Sequence, residues 1–155
     1  MTHLTDVKIA LNDLLRKTYG YKIHGMEITE GYERPSFFVD VRQTNASDIN
    51  ANYLKKAFYI TITYFQEIRS EADNLKKVQE IEELLRPNDL KNKKRLLRLK
   101  VGNRYLPVSG YGSNYIGTNS DILQIEFNVE FQERKEESED APYMEDVTIK
   151  QKLER

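Results

Sequence analysis

The stretch EGYERPSFFVDV, residues 30–41, constrains the fold more than any other part of this chain. Pro35 fixes its own φ and disfavours helical geometry at Arg34, so the chain enters the following segment in an extended conformation. Behind the proline, the side chains alternate between two faces, which predicts a β-strand. One face carries Phe37, Val39 and Val41, and the other carries Phe38, Asp40 and Arg42.

Composition restricts the classes of protein to which the chain can belong. Its 155 residues suit one domain, and the absence of cysteine removes disulfides, thiolate zinc sites and cysteine nucleophiles. Because the chain has only two histidines, it offers few ligands for a histidine-based metal site. The formal net charge of −1 argues against a nucleic-acid binder that is basic overall. Because no apolar run reaches the roughly 18 residues of a membrane span, we expect a soluble intracellular protein without membrane, metal or cofactor partners.

The order of periodic segments predicts an α+β fold with a mixed or mainly antiparallel sheet and two helices packed on it. We expect one domain over residues 1–132 and a charged C-terminal arm over residues 133–155, whose first part is nearly devoid of apolar residues. The polar stretches 44–52 and 110–119 are predicted to be loops. The expected elements are helices at residues 5–18 and 70–87, strands at 21–28, 37–42 and 57–65, a hairpin centred on Gly102-Asn103, and a long strand at 123–132.

The second helix has a predicted N-cap, predicted surface ion pairs and a predicted apolar stripe. Ser70, with Asp73 three residues later, approximates a capping box. Lys76 and Lys77 are spaced for surface ion pairs with Glu80, each worth only a few tenths of a kcal/mol. The stripe that should face the core consists of Leu75, Val78, Ile81, Leu84 and Leu85.

The hairpin around Gly102-Asn103 can be predicted in register, because a two-residue turn with glycine first favours type II′. Arg98 and Pro107 then form a non-hydrogen-bonded pair, and the proline nitrogen points away from the partner strand. Proline tolerates that position only where no further strand needs a donor, so residues 104–108 are predicted to be an edge strand, at least locally. The other expected pairs are Leu99 with Leu106, Leu97 with Val108, and Lys100 with Tyr105.

No set of side chains in the sequence converges on a recognisable reaction, so we expect no catalytic, cofactor-binding or metal-binding residue. Gly110 and Gly112 have the spacing of a dinucleotide fingerprint, but Tyr115 occupies the position of the third glycine. A predicted strand follows, so no helix N-terminus is available to bind a phosphate. Asp40 and Arg42 share one strand face, and we expect a cross-strand ion pair there rather than a role as general acid or base.

Charged residues crowd two separate regions, and three interpretations remain open. Both regions can be solvated surfaces, or the basic region can bind phosphates with an affinity that falls steeply as salt rises. In the third, which we favour over phosphate binding, the acidic arm of one subunit, with Glu136 and Glu137, lies on the hairpin of the next, with Arg98 and Lys100, and closes a ring head to tail. The basic residues are Lys91, Lys93, Lys94, Arg95, Arg98, Lys100 and Arg104, and the acidic ones are Glu133, Glu136, Glu137, Glu139 and Asp140.

Several segments, taken in order, resemble one protein family over residues 4–131. They are the amphipathic N-terminal helix, EGYERPSFFVDV, AFYITITYF, SEADNLKKVQEIEELLRP and DILQIEFNVEF. With them the chain is similar to the phage tail terminator proteins encoded in prophages of Gram-positive bacteria. The shared motifs are structural, and the proline-led aromatic strand is the most specific of them.

The resemblance implies a structural, non-enzymatic protein of the virion tail of a long-tailed phage, assembled in the host cytoplasm. Such proteins form a ring, usually a hexamer, on the head-proximal end of the tail tube, where they halt tube growth and join the tube to the neck or connector. The implied partners are further copies of the chain, the tail tube protein and the neck protein. The two predicted loops should carry the contacts through Tyr111, Asn114 and Tyr115, although packing of the tyrosines within their own loop fits the sequence equally well.

Two other functions fit the same sequence. A head-completion or neck protein would have a similar size, and only a terminator is expected to cap tail tubes. A small nucleic-acid-binding accessory protein would use the basic hairpin, and a salt-dependent gel shift lost on Arg98→Glu and Lys100→Glu would support it. Nucleic acid is the less favoured partner because the chain is nearly neutral overall.

Overall fold

The computed structural model describes residues 2–25 and 33–136. Within these residues the chain forms two α-helices, one short 3₁₀ helix and six β-strands. The helices are α1 (Leu4–Tyr19), α2 (Glu71–Leu84) and the 3₁₀ helix Leu90–Asn92. The strands are β1 (Lys22–His24), β2 (Ser36–Asp48), β3 (Tyr53–Phe65), β4 (Arg98–Val101), β5 (Arg104–Ile116) and β6 (Ile122–Arg134).

The six strands of the described residues form one sheet in the order β1-β2-β3-β6-β5-β4. β1 pairs with β2 in parallel, and every other neighbouring pair is antiparallel. The predicted α+β class, with a mixed sheet and two helices, is therefore confirmed. β3 lies between β2 and β6, and its residues 60–65 are buried in succession, as expected of a central strand covered on both faces.

α1 packs an apolar stripe against the sheet and closes one side of the core. Burial of each apolar side chain in this stripe stabilises the fold by roughly 1.5–3 kcal/mol relative to leaving it exposed. The helix begins at Leu4 because the backbone N–H of His3 donates to Asp6 Oδ2 at 2.9 Å, so the predicted N-cap, Thr5, is wrong. The fully buried residues of α1 are Val7, Leu11 and Leu15.

α2 begins as predicted but turns a different face to the core. Ser70 is the N-cap, and its hydroxyl accepts a hydrogen bond from the Asp73 backbone N–H at 3.2 Å. Leu75 is 56% exposed, so the predicted apolar stripe is wrong at that position. Asn74 and Lys77 are buried instead. Lys77 packs on the rings of Tyr19 and Tyr64, whose hydroxyls donate to carboxylates of the same helix.

β2 is the strand predicted behind Pro35. An ion pair forms on its face, but within β2 and not across to a neighbouring strand as expected: Arg42 Nε lies 2.8 Å from Asp40 Oδ2. β1 covers only part of the strand predicted at residues 21–28, of which 26–28 lie outside the described residues.

The polar stretch 44–52, predicted to be a loop, is mostly strand. β2 continues to Asp48, which pairs with Leu54 of β3, and only residues 49–52 form the connection. The side chains of this part of β2 are exposed on both faces. Its backbone is paired although its side chains are not buried, so the sequence lacks the alternation that predicts a strand.

The stretch 110–119 is likewise strand for most of its length. β5 continues to Ile116 along β6, with a bulge between Ser109 and Gly112, and only residues 117–120 turn. Most side chains of this stretch are exposed, so no alternation of apolar residues indicated a strand. Its glycine and asparagine content therefore led to the prediction of a loop. The bulge lets the strand bend between its two partner strands.

The hairpin of β4 and β5 has the predicted register. β5 pairs with β6 only from Val108 onward, so among the described residues Pro107 is not flanked by paired strands on both sides. The edge prediction is confirmed for residues 104–107 and wrong for Val108, and β4 is the outermost strand. The pairs include Arg98 with Pro107, Leu99 with Leu106, and Lys100 with Tyr105.

β6 crosses the predicted domain boundary at residue 132. It continues to Arg134, and Glu133 is only 6% exposed. Glu133 accepts hydrogen bonds from the Thr2 backbone N–H at 2.6 Å and from the Arg104 guanidinium. Glu133 and Arg134 therefore belong to the folded domain rather than to the arm.

Candidate partner-contact surfaces

The basic residues of the hairpin differ in how far their charges are neutralised. Arg95 contacts Glu83 at 3.0 Å, and Arg104 is paired with the buried Glu133. Four exposed lysines make no ion pair with a described carboxylate, which leaves a local surplus of positive charge beside the outermost strand. We call these residues the lysine patch: Lys91, Lys93, Lys94 and Lys100.

The two hairpin residues predicted to contact a partner are not equivalent. Arg98 is half-buried, and its Nη1 donates to the Leu97 carbonyl at 2.7 Å. Lys100 is exposed, and its Nζ lies 5.6 Å from the centre of the Tyr105 ring, within cation–π range. Lys100 is therefore the residue of β4 whose charge is most available to a partner.

Tyr105 anchors the segment that carries the other patch lysines. Its hydroxyl donates a hydrogen bond to Asp89, which lowers the pKa of Asp89 and raises the pKa of Tyr105. Asp89 Oδ1 also accepts from the backbone N–H groups of Lys91 and Asn92, at 3.0 and 3.1 Å. These bonds fix the 3₁₀ helix against the hairpin, so its lysines stand beside β4 rather than in a free loop.

The acidic partner residues of the prediction lie only partly within the described chain. Glu136 is exposed at the end of the described residues, and Glu137 lies outside them. The chain before Glu136 is held to the turn between β2 and β3: the Lys135 backbone N–H donates to Asn52 at 2.7 Å, and Lys135 Nζ lies 2.9 Å from Asp48. The described part of the chain therefore ends beside that turn.

Tyr111 points into the protein. Its hydroxyl donates to the Val78 carbonyl of α2 at 2.5 Å, and its ring lies 6.2 Å from that of Phe127, centre to centre. Burial raises the pKa of Tyr111. Of the two interpretations left open for this tyrosine, these contacts support packing within the domain.

Asn114 and Tyr115 point outward at the other end of β5. Both are exposed, and Tyr115 retains 39% of its accessible surface. Asn114 lies nine positions after Tyr105 on β5, so this end of the strand is about 30 Å from the lysine patch. The structure thus separates Asn114 and Tyr115 from Arg98 and Lys100, and as consecutive residues of β5 the two point to opposite faces of the sheet.

A buried cluster around Lys77 was missed by the sequence prediction, which gave this lysine a surface ion pair. Lys77 is only 5% exposed, and its Nζ lies 3.0 Å from Asp73 Oδ1. The Nζ also lies 5.2 and 5.1 Å from the ring centres of Tyr19 and Tyr64. Lys77 has helical spacing with the buried Ile81, and that spacing is the signal that could have revealed its burial.

Hydrogen bonds from this cluster hold α1, β3 and α2 together. Tyr19 donates to Glu80 at 2.9 Å, and Tyr64 donates to Asp73 at 2.7 Å. Burial opposes ionisation of Asp73, but hydrogen bonds from Gln66, Tyr64 and Lys77 outweigh it and lower the pKa of this carboxyl. The cluster joins three elements of the core, so we assign it a structural role.

Two further classes of site were sought in the described residues. No group of three or more histidine, aspartate or glutamate side chains there is arranged to hold a metal ion. No helix of that part of the chain has the length and apolar character needed to cross a membrane.

A family model described as "Phage tail terminator protein" matches residues 6–141. A search of the curated proteins finds no match to the chain. The matched range includes both candidate contact surfaces and extends past the end of β6 into the acidic run.

Proposed function

This chain belongs to the family of phage tail terminator proteins, and from that membership we propose that it caps the head-proximal end of the tail tube and joins the tube to the neck or connector. The observation that carries the proposal is the family match over residues 6–141, which spans nearly the whole described fold. A tail terminator is a structural component of the virion tail, and we propose no catalytic activity. The protein would act after synthesis and assembly in the host cytoplasm.

The proposed mechanism is a closed ring of identical subunits, with a hexamer as the expected size. A ring needs two different complementary surfaces on each subunit, because head-to-tail contacts close only when the patches differ. The lysine patch on the β4 side and the acidic run that follows β6 supply opposite charges at separate points of the molecule. The lysine patch of one subunit would attract the acidic run of the next, whereas two lysine patches or two acidic runs would repel each other.

A terminator also needs a face that complements the last ring of the tube. Asn114 and Tyr115 are candidates, since they are exposed about 30 Å along β5 from the lysine patch. Tyrosine supplies a large contact area with a polar tip and is enriched at protein interfaces. Because these residues lie on a paired strand, their positions are fixed by the sheet before a partner binds.

Tube growth in the presence of the chain tests the proposed function. Tail tube protein of the same phage would be polymerised with increasing amounts of the chain, and tube lengths measured by electron microscopy. We expect tubes to shorten as the chain is added, and Tyr115→Ala to require about tenfold more chain, equivalent to about 1.4 kcal/mol of contact energy. Gln43→Ala, at an exposed position of β2, is the matched control and should cap as the natural chain does.

Tube lengths that do not respond to the chain would contradict the terminator function. If the chain instead binds the isolated neck protein and leaves tube growth unchanged, the alternative of a head-completion or neck protein is supported.

A further inference from the structure

A polar pocket opens between the first turn of α2 and the turn that joins β5 to β6. Its volume is about 230 Å³. Pockets that enclose small-molecule ligands measure roughly 300–1,000 Å³, so the size of this one suits a single side chain of a protein partner. Its lining includes Arg69, Ser70, Glu71, Asn74, Tyr115 and Asp121.

Asn74 brings to this pocket a buried acceptor that nothing in the described chain satisfies. The residue is only 4% exposed, and its Oδ1 has no hydrogen-bond partner among the described residues. Burying such a group without a partner destabilises the fold, so an unsatisfied acceptor in a pocket wall indicates a ligand that donates a hydrogen bond. The first backbone N–H groups of a helix also lack partners within the helix and can donate to the same ligand.

The charges around the pocket oppose both kinds of ion. Glu71 and Asp121 would repel an anion, whereas Arg69 and the positive N-terminal end of α2 would repel a cation. A side-chain amide is neutral and carries its donor and its acceptor on two separate atoms. It can therefore donate to Asn74 while accepting from the first turn of the helix, so the site suits an asparagine or glutamine side chain.

Exposed apolar side chains flank the pocket. Tyr115 lines it, Ile68 lies two residues before the N-cap and is 77% exposed, and the exposed Leu75 follows Asn74. Apolar and aromatic surface around a buried polar contact is typical of the centre of a protein interface. These surroundings favour an amide that belongs to a protein segment.

The composition of this chain outside the described structure favours another protein as the source of the amide. Residues 26–32 and 137–155 contain one side-chain amide, Gln151. The pocket lies at the start of β6 and Glu136 lies beyond its end, with about 43 Å of strand between them. The chain from Glu136 to Gln151 reaches at most about 54 Å, so Gln151 could enter the pocket only at nearly full extension.

Tyr115 connects the pocket with the proposed tube face. We infer that the pocket between α2 and the β5–β6 turn binds an asparagine or glutamine side chain of the tail tube protein. This inference rests on the proposed function, which assigns Tyr115 to the face that meets the tube. Asn74 would accept the hydrogen bond, and Tyr115 and Ile68 would pack against the segment that carries the amide.

Replacing Asn74 by leucine separates this role from a structural one. Leucine is similar in size and needs no hydrogen bond, so the variant should unfold at a temperature about 2–4 °C above that of the natural chain. The same variant should need about tenfold more chain to shorten tubes, because the amide of the partner loses its acceptor. Asn12→Leu on α1 is the matched control and should cap as the natural chain does: its Oδ1 is also buried without a partner among the described residues, but it does not line the pocket.

Photo-crosslinking identifies the occupant. Because the chain contains no cysteine, a benzophenone maleimide can be attached at Glu71→Cys, beside the pocket, or at Lys76→Cys, on a different face of α2. On preassembled tubes we expect crosslinks to the tube protein from the first variant and at least about tenfold fewer from the second, since docking raises the effective concentration only at the pocket.

Crosslinks from Glu71→Cys to residues 26–32 or 137–155 of the same chain, or to a second copy of it, would overturn the inference. Loss of thermal stability in Asn74→Leu would also overturn it, because the side chain would then be structural. If the natural chain and Asn74→Leu shorten tubes equally, the inference fails and the terminator function stands. If crosslinks to the tube protein form while tube growth is unaffected, the contact stands and the terminator function fails.

Discussion

Replacing Lys77 by alanine should lower the free energy of unfolding by about 3 kcal/mol, whereas the same change at Lys76 should lower it by less than about 0.5 kcal/mol. Lys77 is 5% exposed and lies 3.0 Å from Asp73, so its loss leaves that carboxylate without its cation and removes the contacts with the tyrosine rings. The side chain of Asp73 remains 32% exposed, and water there keeps the cost at the low end of the range for broken buried pairs.

Urea unfolding of the two variants provides the measurement, and Lys76 is the matched control on the same helix. Its side chain is 70% exposed and its ammonium lies 3.9 Å from Glu80. Lys77→Met should give an intermediate loss, because methionine keeps apolar packing against the rings without the charge. Equal losses at both positions would show that the cluster does not stabilise the fold.

The stabilisation by Lys77 should also depend on pH. Hydrogen bonds from Gln66, Tyr64 and Lys77 lower the pKa of Asp73 in the folded state. The ionised Asp73 therefore contributes its full stabilisation above its unfolded pKa of about 4, and this stabilisation is lost as pH falls through its pKa in the folded state. The difference in stability between the natural chain and Lys77→Ala should therefore narrow below about pH 4. A difference that stays constant to acid pH would contradict the ionic part of this account.

Truncation of the chain after Glu136 should convert the proposed ring into monomers. The cut retains Glu133, which is paired with Arg104, and Lys135, which is bound to Asn52, so the folded domain is left intact. It removes most of the acidic run. Native mass spectrometry should show several subunits for the full chain and one for the truncated chain.

Charge reversal tests whether the arm acts through the lysine patch. Lys100→Glu should weaken assembly, and Glu136→Lys with Glu137→Lys should restore it, because the attraction is then re-created with opposite signs. Lys22→Glu, at an exposed position of β1, changes the net charge equally and is the matched control. If truncation after Glu136 leaves the number of subunits unchanged, the arm is not part of the interface.

The parts of the fold that were predicted correctly are those that carry a local signal in the sequence. The strand behind Pro35 was predicted because its apolar residues alternate with a period of two. β3 was predicted because strand-forming residues fill both of its faces, and the pairing of Leu99 with Leu106 followed from the two-residue turn Gly102-Asn103. The chain at residues 44–48 and 110–116 is paired through its backbone while its side chains face solvent, so no alternation marks it.

The positions of the candidate contact residues depend on tertiary strand pairing, which cannot be derived from local sequence. The lack of apolar residues after position 132 assigned Glu133 to the charged arm, whereas the pairing of β6 brings it to Arg104 and Thr2. Tyr111 was grouped with Tyr115 because both lay in one apparent loop. Strand pairing places both on the face of the sheet that carries α2, and the helix covers Tyr111 but leaves Tyr115 exposed. Tertiary pairing decides such cases, and local composition does not.

The number of chains bound per tube, measured on tubes of different lengths, tests the central claim most directly. Because the chain has no cysteine, Lys22→Cys on the exposed surface of β1 gives a single attachment point for a fluorescent label. The account predicts label at one end of each preassembled tube, in an amount that does not change with tube length. Label spread along the tube in proportion to its length, or no bound label, would contradict it.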